Sequence, residues 1–187
     1  MKNPASLIII FMFCPSTFVI AQHSIYKPLK VDLGINTVFA MKQGTGGGNG
    51  LYINPMFNLT DRFSIGPRLE TAIVKKDKVD LVTGILNNKI VNLSSYLIVM
   101  DYYLSKERIR FFIGLGSGLF KQRDSFMVLG LGSVDLSGNS KMSLGLMPRL
   151  GYNVGHFKMT VNYIMTGDLM YDYLGFTLGL EIGGGLR

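Results

Sequence analysis

The stretch Leu29-Lys30-Val31-Asp32-Leu33-Gly34-Ile35-Asn36-Thr37-Val38-Phe39-Ala40-Met41 decides the fold. Laid out as an extended chain, it puts Leu29, Val31, Leu33, Ile35, Thr37, Phe39 and Met41 on one side. Lys30, Asp32, Gly34, Asn36, Val38 and Ala40 fall on the other. Side chains of a strand alternate between faces, so a period of two with one apolar face predicts a half-buried strand; a helix would need a period of 3.6.

The same alternation recurs down the chain. Apolar sides are formed by Leu51, Ile53, Pro55 and Phe57; by Phe63, Ile65, Pro67, Leu69, Thr71 and Ile73; and by Phe111, Ile113, Leu115 and Leu119. Three more come from Leu144 to Tyr152, Phe157 to Met165 and Leu174 to Ile182. The run Asn92 to Leu104 is apolar on both sides. Turning Asp101 inward assigns Tyr96, Ile98, Met100 and Tyr102 outward. Eight strands result. Tight turns are expected at Thr60-Asp61-Arg62, Ser105 to Arg108 and Val154-Gly155-His156. Longer connections are expected at Lys42 to Asn49, Lys75 to Lys89, Lys121 to Asn139 and Gly167 to Asp172. Long and short links alternate, the rhythm of an up-and-down barrel with short turns at one end and longer loops at the other.

The 187 residues allow one domain, with 48% hydrophobic and only 17% charged residues. Soluble domains carry about 25% charge. No internal stretch reaches the roughly 20 apolar residues of a spanning helix. Residues 1–21 read as a signal peptide: Lys2, an apolar centre from Leu7 to Phe13, and Val19-Ile20-Ala21 before cleavage. Residues 22–187 are then the mature outer-membrane β-barrel domain. The one cysteine, Cys14, falls in the signal and has Phe13 rather than a small residue before it, so neither lipidation nor a disulfide framework is expected.

Which face meets lipid follows from the polar side of the strands. A soluble lipocalin-like barrel, a periplasmic carrier of an apolar ligand, would crowd that side with Lys and Glu. Here it is mostly Gly, Ser, Ala, Asn and Thr with isolated charges, which suits the cramped interior of eight strands. Asp32, Glu70, Asp101 and Glu181 are expected to meet Arg68, Arg110, Arg149 and Lys158 across the lumen, because an unpaired buried charge is costly. Tyr52, Phe63, Tyr96, Tyr102, Phe111, Tyr152, Phe157, Tyr163, Tyr171 and Tyr173 are expected to form the aromatic girdles of the two interfaces. The fold class is therefore all-β, an eight-stranded antiparallel up-and-down transmembrane β-barrel, in the bacterial outer membrane with periplasmic termini.

Several strands resemble the small outer-membrane barrels of the OmpA/OmpX type and their outer membrane protein beta-barrel domain relatives. The carriers are Ser94-Ser95-Tyr96-Leu97-Ile98-Val99-Met100-Asp101-Tyr102-Tyr103-Leu104 and Arg110-Phe111-Phe112-Ile113-Gly114-Leu115-Gly116-Ser117-Gly118. Met147-Pro148-Arg149-Leu150-Gly151-Tyr152 and Gly175-Phe176-Thr177-Leu178-Gly179-Leu180 are similar to later strands of that group. The resemblance implies insertion by the barrel assembly machinery. It departs at the end, Gly183-Gly184-Gly185-Leu186-Arg187, where such barrels often finish on an aromatic residue.

Catalytic residues are scarce. His23 adjoins the cleavage site, and His156 sits in a turn at the periplasmic end followed by Lys158, away from the rim where barrel lipid A deacylases place His and Ser. No metal-ligand spacing exists and no cofactor is expected. Gly44 to Gly50 lacks the Gly-Lys-Ser/Thr ending of a phosphate loop and reads as a flexible external loop. The formal net charge of +7 has a location: Lys75, Lys76, Lys78, Lys89, Lys121, Arg123 and Lys141 all fall toward the external side. They are expected either to contact lipopolysaccharide phosphates or to form a solvated loop surface. Export and the lack of a recognition motif exclude nucleic acid. The apolar segment Ser125 to Leu136 is expected to be a protruding hairpin, making residues 122–139 a site for a surface protein partner, or else a plug in the barrel mouth. The expected role is structural or surface-binding, without enzyme activity; a lipid-modifying barrel enzyme is the remaining alternative.

Overall fold

In a computed structural model, the structure describes residues 25–41, 46–79, 86–107, 109–127, 134–135, 140–166 and 172–184. The expected signal peptide, Tyr171 and the glycine-rich segment 42–45 lie outside them. The strands are β1 (Leu29–Ala40), β2 (Gly47–Asn58), β3 (Phe63–Val79), β4 (Leu86–Tyr103), β5 (Ile109–Met127), β6 (Val134–Asp135), β7 (Ser140–Val154), β8 (Phe157–Thr166) and β9 (Tyr173–Gly183). Every neighbouring pair is antiparallel, and β9 pairs back onto β1 from Lys30↔Gly183 to Ala40↔Tyr173. Eight strands thus close a barrel, with β6 a two-residue addition beside β5. Closure removes the two sheet edges, which lipid could not satisfy. No helix among the described residues is long and apolar enough to cross a membrane.

Turn chemistry sets the hairpins at the end that holds both termini. Thr60 Oγ1 accepts from the Phe63 amide at 3.0 Å, closing the β2–β3 turn. The β7–β8 turn needs a positive φ at Gly155 (60°), which glycine adopts without steric cost. At the opposite, outer end the expected loops are largely strand. β3 continues to Val79 and β4 starts at Leu86, pairing through Lys76↔Lys89 and Val79↔Leu86. β5 runs to Met127, with Ser125↔Ile90 on one side and Phe126↔Asp135 on the other. Within the described residues, 75–79 and 86–89 are thus corrected from loop to paired strand, while 121–127 and 134–135 pair as a hairpin, the first of the two forms expected there. A ladder with water on both faces need not alternate, so hydropathy alone hid the β3–β4 extension. The part of 122–139 that is described projects as a hairpin; residues 128–133 and 136–139 lie outside the described set.

The two faces carry opposite chemistry. Outward positions are exposed and apolar, as with Leu144 (72%), Phe111 (60%) and Leu178 (50%), while inward positions such as Asp32, Asp101 and Lys158 are buried. A soluble barrel would have the reverse polarity; a bilayer supplies the partner this exterior lacks. Two members of the expected girdle are inside instead. Tyr52 and Tyr173 occupy inward positions, 5% and 4% exposed. Strand parity decides this: Tyr52 alternates with the outward Leu51 and Ile53.

The lumen has two halves. Near the termini it is filled with charge. Toward the outer end it is an apolar core in which Val38, Val74, Val91, Leu93, Phe120, Met147 and Ile164 pack together. This corrects the expectation of a lumen lined mainly by small and polar residues. It also explains why β4 is apolar on both faces: Val91, Leu93, Leu97 and Val99 face this inner core while Tyr96, Ile98 and Met100 face outward. Inward glycines make room for the large side chains. A Cβ on Gly151 would meet the Phe112 ring at 2.5 Å, and one on Gly145 would meet the Phe120 ring at 2.8 Å.

Candidate functional site

The charged half of the lumen is built from inward positions on seven strands, β1, β3, β4, β5, β7, β8 and β9. Lys158 Nζ lies 2.6 Å from Asp32 Oδ2 and 3.1 Å from Asp101 Oδ2, and Arg149 Nη2 is 3.0 Å from that same Asp101 oxygen. Arg68 approaches Glu70 through Nη2 at 2.7 Å and Nε at 2.8 Å. Glu181 takes Lys30 at 3.1 Å and Arg110 at 3.5 Å. Amides and a phenol complete the groups: Asn54 donates to Asp32 at 3.3 Å, Asn36 to Glu70, and Lys30 to the Tyr103 hydroxyl. The structure thus brings all eight residues of the expected lumen network into three ion groups, one of them spanning β1, β4, β7 and β8.

Sequence reading did not include Lys30, although it shares its strand face with Asp32. With it, the buried cations Lys30, Arg68, Arg110, Arg149 and Lys158 outnumber the carboxylates Asp32, Glu70, Asp101 and Glu181 by one. Aromatic faces help to balance them. Arg68 stacks on Tyr52 at 4.0 Å, Arg110 lies between Tyr103 (4.1 Å) and Tyr26 (4.3 Å), and Lys30 sits over Tyr103 at 4.5 Å. Lys158 and Arg149 both lie over the Phe112 ring, at 4.6 and 5.3 Å from its centre. Every buried cation therefore has both a carboxylate and a ring quadrupole, the pairing that makes a desolvated cation tolerable. The rings were visible as residues, but which of them faced cations depended on the stagger between distant strands.

The segment before β1 packs against the turns at the end of the barrel where β1 begins and β9 finishes. Tyr26 is buried and donates from its hydroxyl to the Lys106 and Glu107 carbonyls at 2.6 and 3.0 Å. Asp61 accepts from the Ile25 amide at 2.7 Å and pairs with Lys106 at 3.4 Å. This short strap ties the β2–β3 turn to the β4–β5 turn. His156, in the turn after β7, is exposed, and its Nδ1 lies 3.0 Å from the Glu181 carbonyl. Among the described residues there is no cluster of His, Cys, Asp and Glu that could hold a metal. Each lumen carboxylate is engaged by at least one cation, so the arrangement suits packing rather than proton transfer.

The basic residues occupy the outer end. Lys75, Lys76 and Lys78 lie on the extension of β3, and Lys89 on that of β4. The last β2 pairing with β3 is Gly48↔Val74, so these β3 lysines stand beyond the level where β2 ends. Lys121 and Arg123 are at the outer part of β5 on its outward face, Lys121 half-buried and Arg123 exposed. Lys141 is exposed on β7 opposite Gln122. The seven are thus carried by four adjacent strands, on one side of the barrel.

No protein-family model matches the sequence, and no curated protein matches it significantly. Solved structures do match in shape. The attachment invasion locus protein Ail of Yersinia pestis, in complex with the heparin analogue sucrose octasulfate, aligns with a TM-score of 0.53 at 14% identity, over 82% of this chain and 97% of Ail. OprG, an outer membrane protein of Pseudomonas aeruginosa, gives 0.54 at 13% identity, covering 86% and 99%. Neisserial surface protein A gives 0.51 at 12% identity, covering 84% and 98%. The chain has the fold of the small eight-stranded outer-membrane β-barrels, the OmpA/OmpX type that its strands resemble.

Proposed function

We propose that the protein is a structural and surface-binding barrel of the bacterial outer membrane, both termini periplasmic, acting through what it presents beyond the outer leaflet rather than through a pore or a catalytic centre. The observation that carries this is the asymmetry of the outer end. β3, β4 and β5 continue past the apolar belt as a projecting sheet and bear most of the basic residues, while the lumen beneath them is packed. Lys75, Lys76, Lys78, Lys89, Lys121, Arg123 and Lys141 contact anionic groups of the outer surface, lipopolysaccharide phosphates first among them, each gaining about 1 kcal/mol near such a surface. Ail's complex with a polyanionic heparin analogue is in keeping with this use of a barrel rim. The projecting hairpin within residues 122–139 offers ladder hydrogen bonds to a surface protein.

The test begins with location. Outer membranes washed with urea or carbonate should retain the protein, and unboiled samples should migrate differently from boiled ones. Changing Lys75, Lys76, Lys78 and Lys89 to Gln should then weaken the permeability barrier or the protection of the outer hairpins against protease. Release into the soluble periplasm, or an unaltered surface after neutralisation, would refute the reading.

A further inference from the structure

The outward strand positions are apolar along the belt, and polar side chains gather at its outer boundary. Lys121 and Arg123 lie on the outward face of β5 at this boundary. They are two residues apart on one face of β5, roughly 6.5 Å along the strand. The register sets Ser94 of β4 beside Lys121 and Asn92 beside Arg123, while Thr71 of β3 pairs with Ser94. Thr71 Oγ1 donates to Asn92 Oδ1 at 3.2 Å, which turns the Asn92 amide nitrogen away from Thr71 as a donor.

Below this patch, toward the middle of the belt, the surface dips into a groove of about 330 Å³. Leu51, Ile53, Leu69 and Tyr96 form its walls, and Thr71 and Ser94 its outer lip. Cations and hydroxyls therefore sit at the head of an apolar channel that runs into the hydrocarbon region. A charge facing lipid costs least at the interface, where an anion can meet it.

We propose that this face of β2–β5 is a binding site for one molecule of a phosphorylated glycolipid of the outer leaflet, the lipid A part of lipopolysaccharide. Its phosphate sits between Lys121 and Arg123, hydrogen-bonded by Ser94 and Asn92, and one acyl chain lies in the Leu51–Leu69–Tyr96 groove. Two features commit the site to this occupant. The cations lie at the end opposite the termini, which is the outer leaflet if the termini are periplasmic. The pairing of two cations with neutral donors complements a phosphate ester on a polyhydroxylated headgroup. The assignment rests on the outer-membrane reading above and narrows a diffuse basic rim to a defined site.

The experiment is a titration of the full-length mature protein in detergent with bisphosphorylated lipid A, dephosphorylated lipid A and phosphatidylglycerol. Four proteins are compared: the unaltered chain, Lys121→Gln/Arg123→Gln, Leu69→Trp to fill the groove, and the fourfold Gln variant at 75, 76, 78 and 89. The first two substitutions are expected to weaken binding of bisphosphorylated lipid A about 30-fold with the heat-dependent gel shift intact. Leu69→Trp should also weaken it, and dephosphorylated lipid A should bind poorly to the unaltered chain. Undiminished binding by Lys121→Gln/Arg123→Gln, with loss in the fourfold variant, overturns the site and leaves the rim reading standing. Equal affinity for phosphatidylglycerol overturns the choice of lipid. Absence of the protein from the outer membrane overturns both readings together.

Discussion

Asp101 is the most demanding point in the lumen, and Asp101→Asn tests whether that lumen is a desolvated ion network. One Asp101 oxygen takes Arg149 at 3.0 Å and Lys158 at 3.1 Å, and the side chain is wholly buried. The two cations do not depend on it equally. Lys158 keeps Asp32 at 2.6 Å, whereas the salt bridge of Arg149 runs to Asp101. Arg149 Nε and Nη1 are buried without hydrogen-bond partners among the described residues. Removing one partner of a buried pair costs about 3–5 kcal/mol, because the other charge is stranded. The amide that replaces the carboxylate would still accept one hydrogen bond, and the Phe112 face would still meet Arg149. The expected loss is therefore at the lower end, about 3 kcal/mol. Reversible urea unfolding in lipid vesicles, followed by the gel shift and circular dichroism, measures it. Asp101→Asn/Arg149→Met should recover most of the loss, since the stranded cation goes as well. A loss under about 1 kcal/mol would mean the lumen is wet enough to screen these charges, and the argument from desolvation would fail.

Three other perturbations probe the lipid face, the outer core and the strap. Leu178→Arg puts a cation on the lipid-facing side of β9 and should cost up to about 2–4 kcal/mol, most at the midplane, read as reduced membrane integration; normal integration would contradict the assignment of faces. Phe120→Ala opens the apolar outer core and should destabilise by about 3–5 kcal/mol in the same urea assay; a negligible change would mean the outer lumen is not packed. Tyr26→Ala removes two hydroxyl hydrogen bonds and the ring over Arg110, and should speed hydrogen exchange at the amides of residues 25 and 26 while the strands keep their protection; unchanged exchange would show the strap is held by other means.

The amino-acid sequence by itself determined the strand identities, the number of barrel strands and which face of each meets lipid, because these follow from alternation within each strand, from the small and sparsely charged polar side, and, for Asn92 to Leu104, from the single charge of Asp101. Leu29 to Met41 and Leu174 to Ile182 could be oriented without knowing their neighbours. The sequence also determined that Asp32, Arg68, Glu70, Asp101, Arg110, Arg149, Lys158 and Glu181 share the inward side. Tertiary structure alone decided who meets whom there. Lys158 is 126 residues from Asp32 and reaches it only through closure of the barrel and the stagger between β8 and β1. The same holds for the division of the lumen: Val38, Phe120 and Ile164 are scattered inward residues until register brings them to one level. Tyr52 and Tyr173 were misplaced because aromatic residues near strand ends serve a girdle or a lumen equally well by composition, and only parity and packing separate the two. The β3–β4 extension was hidden for a related reason, since ladder pairing beyond the bilayer no longer requires one apolar face. What a single strand encodes is local and periodic; what the lumen and the outer rim became depends on the shear of a closed sheet, which no single strand contains.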